Sequence, residues 1–188
     1  ENLAESQKRA YEIAKRVFDI FAGAVLSFIA LIILPFAALA IKMDSMGPVF
    51  FRQKRVGKNG KVFLLIKFRS KIHDGGEKNS GWDKAGDEKR TTFVGKILRK
   101  TYIDELPQSI NILKGDLSLI GPRPEFPAPV KLYEKQVPYY GVRHLIKPGL
   151  SGWAQIHQGT PPQSLAATKE RLSYDFYYLK NRSFLLDL

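Results

Sequence analysis

Two adjacent carboxylates, Asp104 and Glu105, stand in a stretch crowded with cations. Arg99 and Lys100 lie just upstream, Arg123 sits in the rigid Pro122-Arg123-Pro124, and Lys67 and Arg69 close a strand-like run. Cations near a carboxylate keep it ionised and can hold a phosphate against it. An ionised carboxylate can attack phosphorus to give an acyl-phosphate, with a divalent ion neutralising the remaining oxygens. The pair also has a purely structural use. Two acids at a helix start complement its dipole, with Thr101 as cap and Pro107 in the first turn. The residues alone leave both uses open.

Other chemistries are poorly supplied. The chain has no cysteine, which excludes disulfides, zinc fingers and thiol nucleophiles. His73, His144 and His157 are scattered without metal-ligand spacing and read as surface or packed residues. Gly57-Lys58-Asn59-Gly60-Lys61 lacks the spacing of a P-loop. Thirty Lys and Arg against 18 Asp and Glu give a net charge of +12, which points to an anionic partner: nucleic acid, acidic lipid or a phosphorylated substrate.

The element that sets the chemistry's location comes first in the chain. No charge occurs from Ile20 to Ile41. As a straight helix this run reaches about 33 Å, against a hydrocarbon core of about 30 Å. A signal peptide fits poorly, because no small-residue cleavage site follows. Pro35 lies inside the run and deprives the Leu31 carbonyl of its donor, so a kink or break is expected there. Lys8, Arg9, Lys15 and Arg16 precede the run; Lys42, Arg52, Lys54, Arg55, Lys58 and Lys61 follow it. Positive flanks mark the cytoplasmic side, so a helix-break-helix entering and leaving by one face suits both flanks. A kinked spanning helix and a buried core helix are the alternatives. Residues before the run pattern as an amphipathic helix on anionic lipid.

From Gly47 the texture changes. Runs at 49–51 and 62–66, joined by Asn59-Gly60, predict a β-hairpin. Residues 73–91 read as a mobile loop. Helices are predicted near 93–100, over Asp104–Lys114 with Gly115 as its stop, and near 127–137 and 162–180. The prolines at 122, 124, 127 and 129 enforce an extended or turning path. The expected fold is α+β, with residues 1–46 as the interfacial and re-entrant membrane segment and 47–188 as a small, helix-rich domain. Glu1 at the start and the apolar run at 184–188 suggest a fragment of a longer chain.

One ordered set of strings resembles a known family. It comprises Lys15-Arg16-x-x-Asp19, Gly47-Pro48-Val49-Phe50-Phe51-Arg52-Gln53, Arg55-Val56-Gly57, Lys67-Phe68-Arg69-Ser70 and Leu98-Arg99-Lys100-Thr101. It continues with Asp104-Glu105-Leu106-Pro107-Gln108, Lys114-Gly115-Asp116-Leu117-Ser118, Gly121-Pro122-Arg123-Pro124-Glu125, Lys147 to Gln155, and Asp175-x-Tyr177-Tyr178. The chain is similar in these to the bacterial sugar transferases, monotopic polyprenol-phosphate phosphoglycosyl transferases. The resemblance implies transfer of a sugar-1-phosphate from a UDP-sugar to undecaprenyl phosphate, with UMP released, at the cytoplasmic face of the bacterial inner membrane. It implies Asp104 as nucleophile and magnesium ligand, Glu105 as its partner acid, and Mg²⁺ as cofactor. Lys67, Arg69, Arg99 and Arg123 fall in matching strings and are candidates for phosphate or nucleotide contact. Pro35 matches the membrane break. Anionic lipid is a further partner, nucleic acid is not, and a homo-oligomer stays open. Three positions depart from the pattern. Leu34 stands where Ser is common, Ile156-His157-Gln158-Gly159 replaces Val-Asn-Gly-Arg, and Lys71 replaces Met. The rival expectation is a catalytically silent scaffold for glycan assembly.

Overall fold

The computed structural model describes residues 3–73, 89–159, 162 and 164–188. The loop expected over 73–91 therefore lies almost wholly outside the described residues. Helix α1 spans Leu3–Asp44, 42 residues, with Pro35 inside it. The break expected at Pro35 is not a gap, because helix continues on both sides of it. The physical reason is tertiary packing. Ile33, Leu34, Ala37 and Ile41, around the proline, share one apolar cluster with Phe68 and Leu98. Pro35 itself is on the exposed side. An interior proline costs about 3 kcal/mol, which burial of several aliphatic side chains at about 1.5–3 kcal/mol each offsets.

The hairpin forms as expected. Strand β1 (Phe50–Val56) pairs antiparallel with β2 (Val62–Phe68), from Phe50 opposite Phe68 to Val56 opposite Val62. The turn takes positive φ at Asn59 (56°) and Gly60 (74°), which Asn and Gly tolerate best. Helix α2 (Phe93–Lys100) starts where Thr92 accepts a hydrogen bond from the Gly95 amide. The single helix predicted over Asp104–Lys114 is divided instead into a 3₁₀ segment, Ile103–Gln108, and helix α3, Ser109–Lys114. Thr101 does not cap it; its hydroxyl donates back to the Ile97 carbonyl at 2.9 Å. Left-handed Tyr102 (φ 57°) instead turns the chain into the 3₁₀ segment. Gly115 ends α3 in the left-handed region, φ 86°, as its sequence position indicates.

Strand β3 (Ser118–Ile120) pairs in parallel with β4 (Gly149–Ser151). Here the two backbones nearly touch. A Cβ on Gly149 would sit 2.1 Å from the Gly121 amide nitrogen. Helices α4 (Pro127–Gln136), α5 (Trp153–Gln158), α6 (Leu165–Asn181) and α7 (Phe184–Asp187) complete the chain, with a 3₁₀ turn at Tyr140–Leu145. The α+β class expected from sequence is what the elements show.

Asn111 joins α3 to the hairpin. Its side-chain oxygen accepts from the Ile66 amide at 3.1 Å and its nitrogen donates to the Leu64 carbonyl at 2.8 Å. The side chain thus pairs with the edge of β2 as another strand would. Asn111→Ala leaves both strand groups without a partner. At about 1–3 kcal/mol for each unsatisfied buried group, urea unfolding is expected to show a loss of about 2 kcal/mol or more. Asn111→Asp sets a buried carboxylate against the Leu64 carbonyl and is expected to lose at least as much at neutral pH, with the loss easing on acidification as the carboxyl gains a proton to donate.

Candidate active site

The hairpin and the 3₁₀ segment build the site between them. Side chains on β2 alternate faces, and register places Arg55 opposite Phe63, so Arg55, Leu65 and Lys67 share one face. Three residues per turn bring Glu105 and Gln108 to one edge of the 3₁₀ segment. These residues line a small cleft with Arg123, Pro124 and the β4 backbone at Gly149 and Leu150. Across it the Lys67 ammonium and the Glu105 carboxylate form a direct ion pair.

Asp104 sits on the neighbouring edge, 7% exposed. The expectation that nearby cations keep it readily ionised needs correction. Burial raises the Asp104 pKa above the ordinary carboxylate value; Lys67 opposes this, the Glu105 charge adds to it, and Arg99 opposes it. Desolvation wins over the cations. Burial also lowers the Lys67 pKa, against the pull of Glu105. The two shifts run toward each other, as in sites where a proton changes hands.

The four candidate cations divide. Lys67 and Arg123 line the cleft. Arg99 lies outside it, exposed, close enough to Asp104 to act on its charge and bonded to the Thr91 hydroxyl at 3.1 Å. Arg69 is committed elsewhere. Its guanidinium donates to the carbonyls of Met46 (2.6 Å), Ser45 (2.7 Å) and Ile41 (3.3 Å), closing the C-terminal end of α1.

The Pro122-Arg123-Pro124 segment is clamped from two sides. Arg55 donates to the Pro124 carbonyl at 2.9 Å and stacks over Phe126 at 3.5 Å. Arg143 donates to the Arg123 carbonyl at 3.0 Å while paired with Asp175 at 2.8 Å, and both side chains of that pair are 2% exposed. Sequence reasoning gave no role to Arg55, Gln108, Arg143 or Asp175. Arg55, Gln108 and Asp175 do fall within motif strings, but Arg143 carried no signal. Among the described residues no group of three or more His, Asp or Glu could hold a metal. Asp104 and Glu105 nevertheless suit Mg²⁺, which binds through one or two carboxylates and completes its shell with water and substrate phosphate.

Fold and site together define an α+β domain strapped to one long apolar helix, with a carboxylate–cation cleft suited to a phosphorylated ligand. Comparison with known proteins gives this class a family. The family model described as bacterial sugar transferase matches residues 10–188. The chain is 42% identical over 178 residues to the UDP-N-acetylgalactosamine-undecaprenyl-phosphate N-acetylgalactosaminephosphotransferase of Aeromonas hydrophila, covering 95% of this chain and 42% of that protein. It is 40% identical over 186 residues to the UDP-glucose:undecaprenyl-phosphate glucose-1-phosphate transferase of Caulobacter vibrioides, covering 95% of this chain and 67% of that one. The uncharacterized sugar transferase EpsL of Bacillus subtilis is 41% identical over 177 residues, with 94% and 82% covered. The chain belongs to the bacterial sugar transferase family.

Because the pKa of Asp104 is raised, folding favours its neutral form relative to the unfolded chain. The Asp104 contribution to stability is therefore present at low pH and lost as pH rises through the folded-state pKa. Asp104→Asn is expected to melt above the parent at neutral pH, with the gap narrowing on acidification. A melting-temperature series from pH 4 to 8 reads this directly.

Proposed function

We propose that this chain carries the catalytic machinery of a UDP-sugar:undecaprenyl-phosphate sugar-1-phosphate transferase, working by way of a covalent phosphosugar on Asp104. The observation that carries the reading is the buried Asp104 beside the Glu105–Lys67 pair, with Arg123 across the cleft. The Asp104 carboxylate attacks the phosphorus that bears the sugar. An aspartyl oxygen–phosphorus bond forms, the bond to the UMP oxygen breaks, and UMP leaves with the electron pair. Lys67 and Arg123 hold the phosphate oxygens and balance their charge. Undecaprenyl phosphate then attacks the same phosphorus. The aspartyl bond breaks, the carboxylate is restored, and a polyprenyl diphosphate sugar results. Glu105, paired to Lys67, takes the proton of the incoming phosphate. Asp104, with Glu105 beside it, would hold Mg²⁺, which would supply charge neutralisation at the diphosphate. The product is the first lipid-linked intermediate of a glycan.

We further propose that α1, continuous but bent at Pro35, dips into the bacterial inner membrane from one face as a re-entrant segment, with the domain in the cytoplasm. It is long and apolar enough to cross a membrane. Both ends, however, are fastened to the same domain. Near the start, Asp19 accepts from the Ser118 hydroxyl and the Leu119 amide at 3.0 and 2.9 Å. At the end, Asp44 accepts from the Val94 amide at 2.8 Å. The basic flanks favour the same side. The opposite face of the helix, with Phe21, Phe28, Phe36 and Leu39 all over 60% exposed, is what lipid would cover.

Two measurements test these readings. Asp104→Asn is expected to stay folded and lose at least 10³-fold in UMP release from a UDP-sugar; parental rates in that variant would remove Asp104 from the mechanism. The chain has no native cysteine, so single cysteines at Glu12 and Met46 can be labelled in intact spheroplasts. Both are expected to be shielded from an impermeant maleimide and to react after lysis; opposite behaviour of the two would make α1 a spanning helix.

A further inference from the structure

Gln108 and Asn111 are neighbouring buried amides with opposite fates. Asn111 is 1% exposed and uses both ends of its carboxamide on β2. Gln108 is 3% exposed and stands on the cleft wall. Its carboxamide makes no hydrogen bond to any described residue. Nor is it among the unpartnered polar atoms sealed from solvent, which belong to Arg69, His144, Gln155 and Arg171. Buried amides are ordinarily paired. This one is left open toward the space a ligand would fill.

Its position limits what that ligand group can be. On a 3₁₀ turn Gln108 follows Glu105 along one edge, about 6 Å further on. It is therefore next to the groups that engage the reacting phosphorus. Phosphate oxygens only accept hydrogen bonds, and Lys67 and Arg123 already supply donors in the cleft. A carboxamide both donates and accepts. Its complement is a group that does both, as a sugar hydroxyl or an acetamido group does. The nucleobase, at the far end of the diphosphate, lies further from the reacting phosphorus than the first carbons of the sugar.

We propose that Gln108 is a specificity residue that reads the substituent on the sugar carbon next to the anomeric phosphate. This rests on the phosphoglycosyl transferase reading above and deepens it.

The test is a cycle of protein and substrate changes on the complete chain in detergent or nanodiscs, with UMP release as readout. A panel of UDP-sugars first identifies the best substrate of the wild type, which is then compared with its 2-deoxy analogue. In the wild type the analogue is expected to fall about 10- to 100-fold in kcat/KM. Gln108→Met, of similar volume without hydrogen bonding, is expected to lose about the same factor on the full substrate. Its two substrates should then differ by less than about 3-fold, because one contact cannot be lost twice. An undiminished deoxy penalty in Gln108→Met overturns the proposal. So does an equal loss on every UDP-sugar and on UDP itself, which would place the amide on the nucleotide. If Gln108→Met does not fold, Gln108→Glu keeps the size and the acceptor but not the amide donor, and is expected to shrink the penalty partly; the full wild-type penalty there rejects the assignment. A wild type that releases no UMP from any UDP-sugar fails the transferase reading itself, and the Gln108 assignment with it.

Discussion

Arg16 and Asp19 decide how the rest of this molecule can be arranged. They lie one helical turn apart just before the uncharged run of α1, and they fasten the helix to the domain by polar groups. Arg16 donates to the carbonyls of Ile112 and Leu113 at 2.7 and 2.8 Å, closing the free end of α3. Asp19, 2% exposed, accepts from β3. Further along, Ser27 donates to Ser109 at the start of α3. A side chain on Gly23 would meet Ile112 and Leu113 within 3.2 Å. Beyond Pro35 the attachment is apolar, through Ala37 and Ile41, and then polar again at Asp44 and Arg69. The helix is thus held along its length, and α3 with the 3₁₀ segment before it is held with it. The Asp104 and Glu105 carboxylates follow the helix. Wherever α1 meets lipid, Asp104 and Glu105 are a fixed short distance away.

That constraint explains a site assembled from parts that do little individually. The hairpin supplies Lys67 on a rigid strand. The 3₁₀ segment supplies the acids. The hairpin also grips the Pro122-Arg123-Pro124 segment, through Arg55 on β1, and the buried Arg143–Asp175 pair holds it from the other side. A buried ion pair of this kind is weak evidence for stability. Its evident use is geometric: it holds the Arg123 carbonyl, and hence the direction in which the Arg123 side chain leaves the backbone. The glycines at 121, 149 and 152 let β3 and β4 approach so closely that this segment and the cleft wall become one unit.

Much of this was legible in the sequence where the signal was local. Asn59-Gly60 marks the hairpin turn, the helix near 93–100 appears as α2, and Gly115 marks the stop of α3. What was hidden depends on partners far away in the chain. Pro35 reads as a break because its local penalty is visible, while the packing of Leu34, Ala37 and Ile41 on Phe68 and Leu98 is not. Arg69 reads as a phosphate ligand because cations beside acids suggest one; its carbonyl partners lie more than 20 residues upstream. The charge preference of Asp104 could not be read either, since neighbouring cations are countable in a sequence and desolvation is not. Gln108 gains meaning only when its open carboxamide is set beside the full use of Asn111.

The account turns on Asp104 carrying the phosphosugar between the two substrates. Intact-protein mass spectrometry of the purified chain, incubated with UDP-sugar and Mg²⁺ and without polyprenyl phosphate, addresses this most directly. A mass increase equal to one sugar phosphate, mapped to the peptide containing Asp104, absent in Asp104→Asn and discharged by adding undecaprenyl phosphate, is the expected result. UMP formation that requires the acceptor and leaves no adduct, or an adduct that persists in Asp104→Asn, would contradict it.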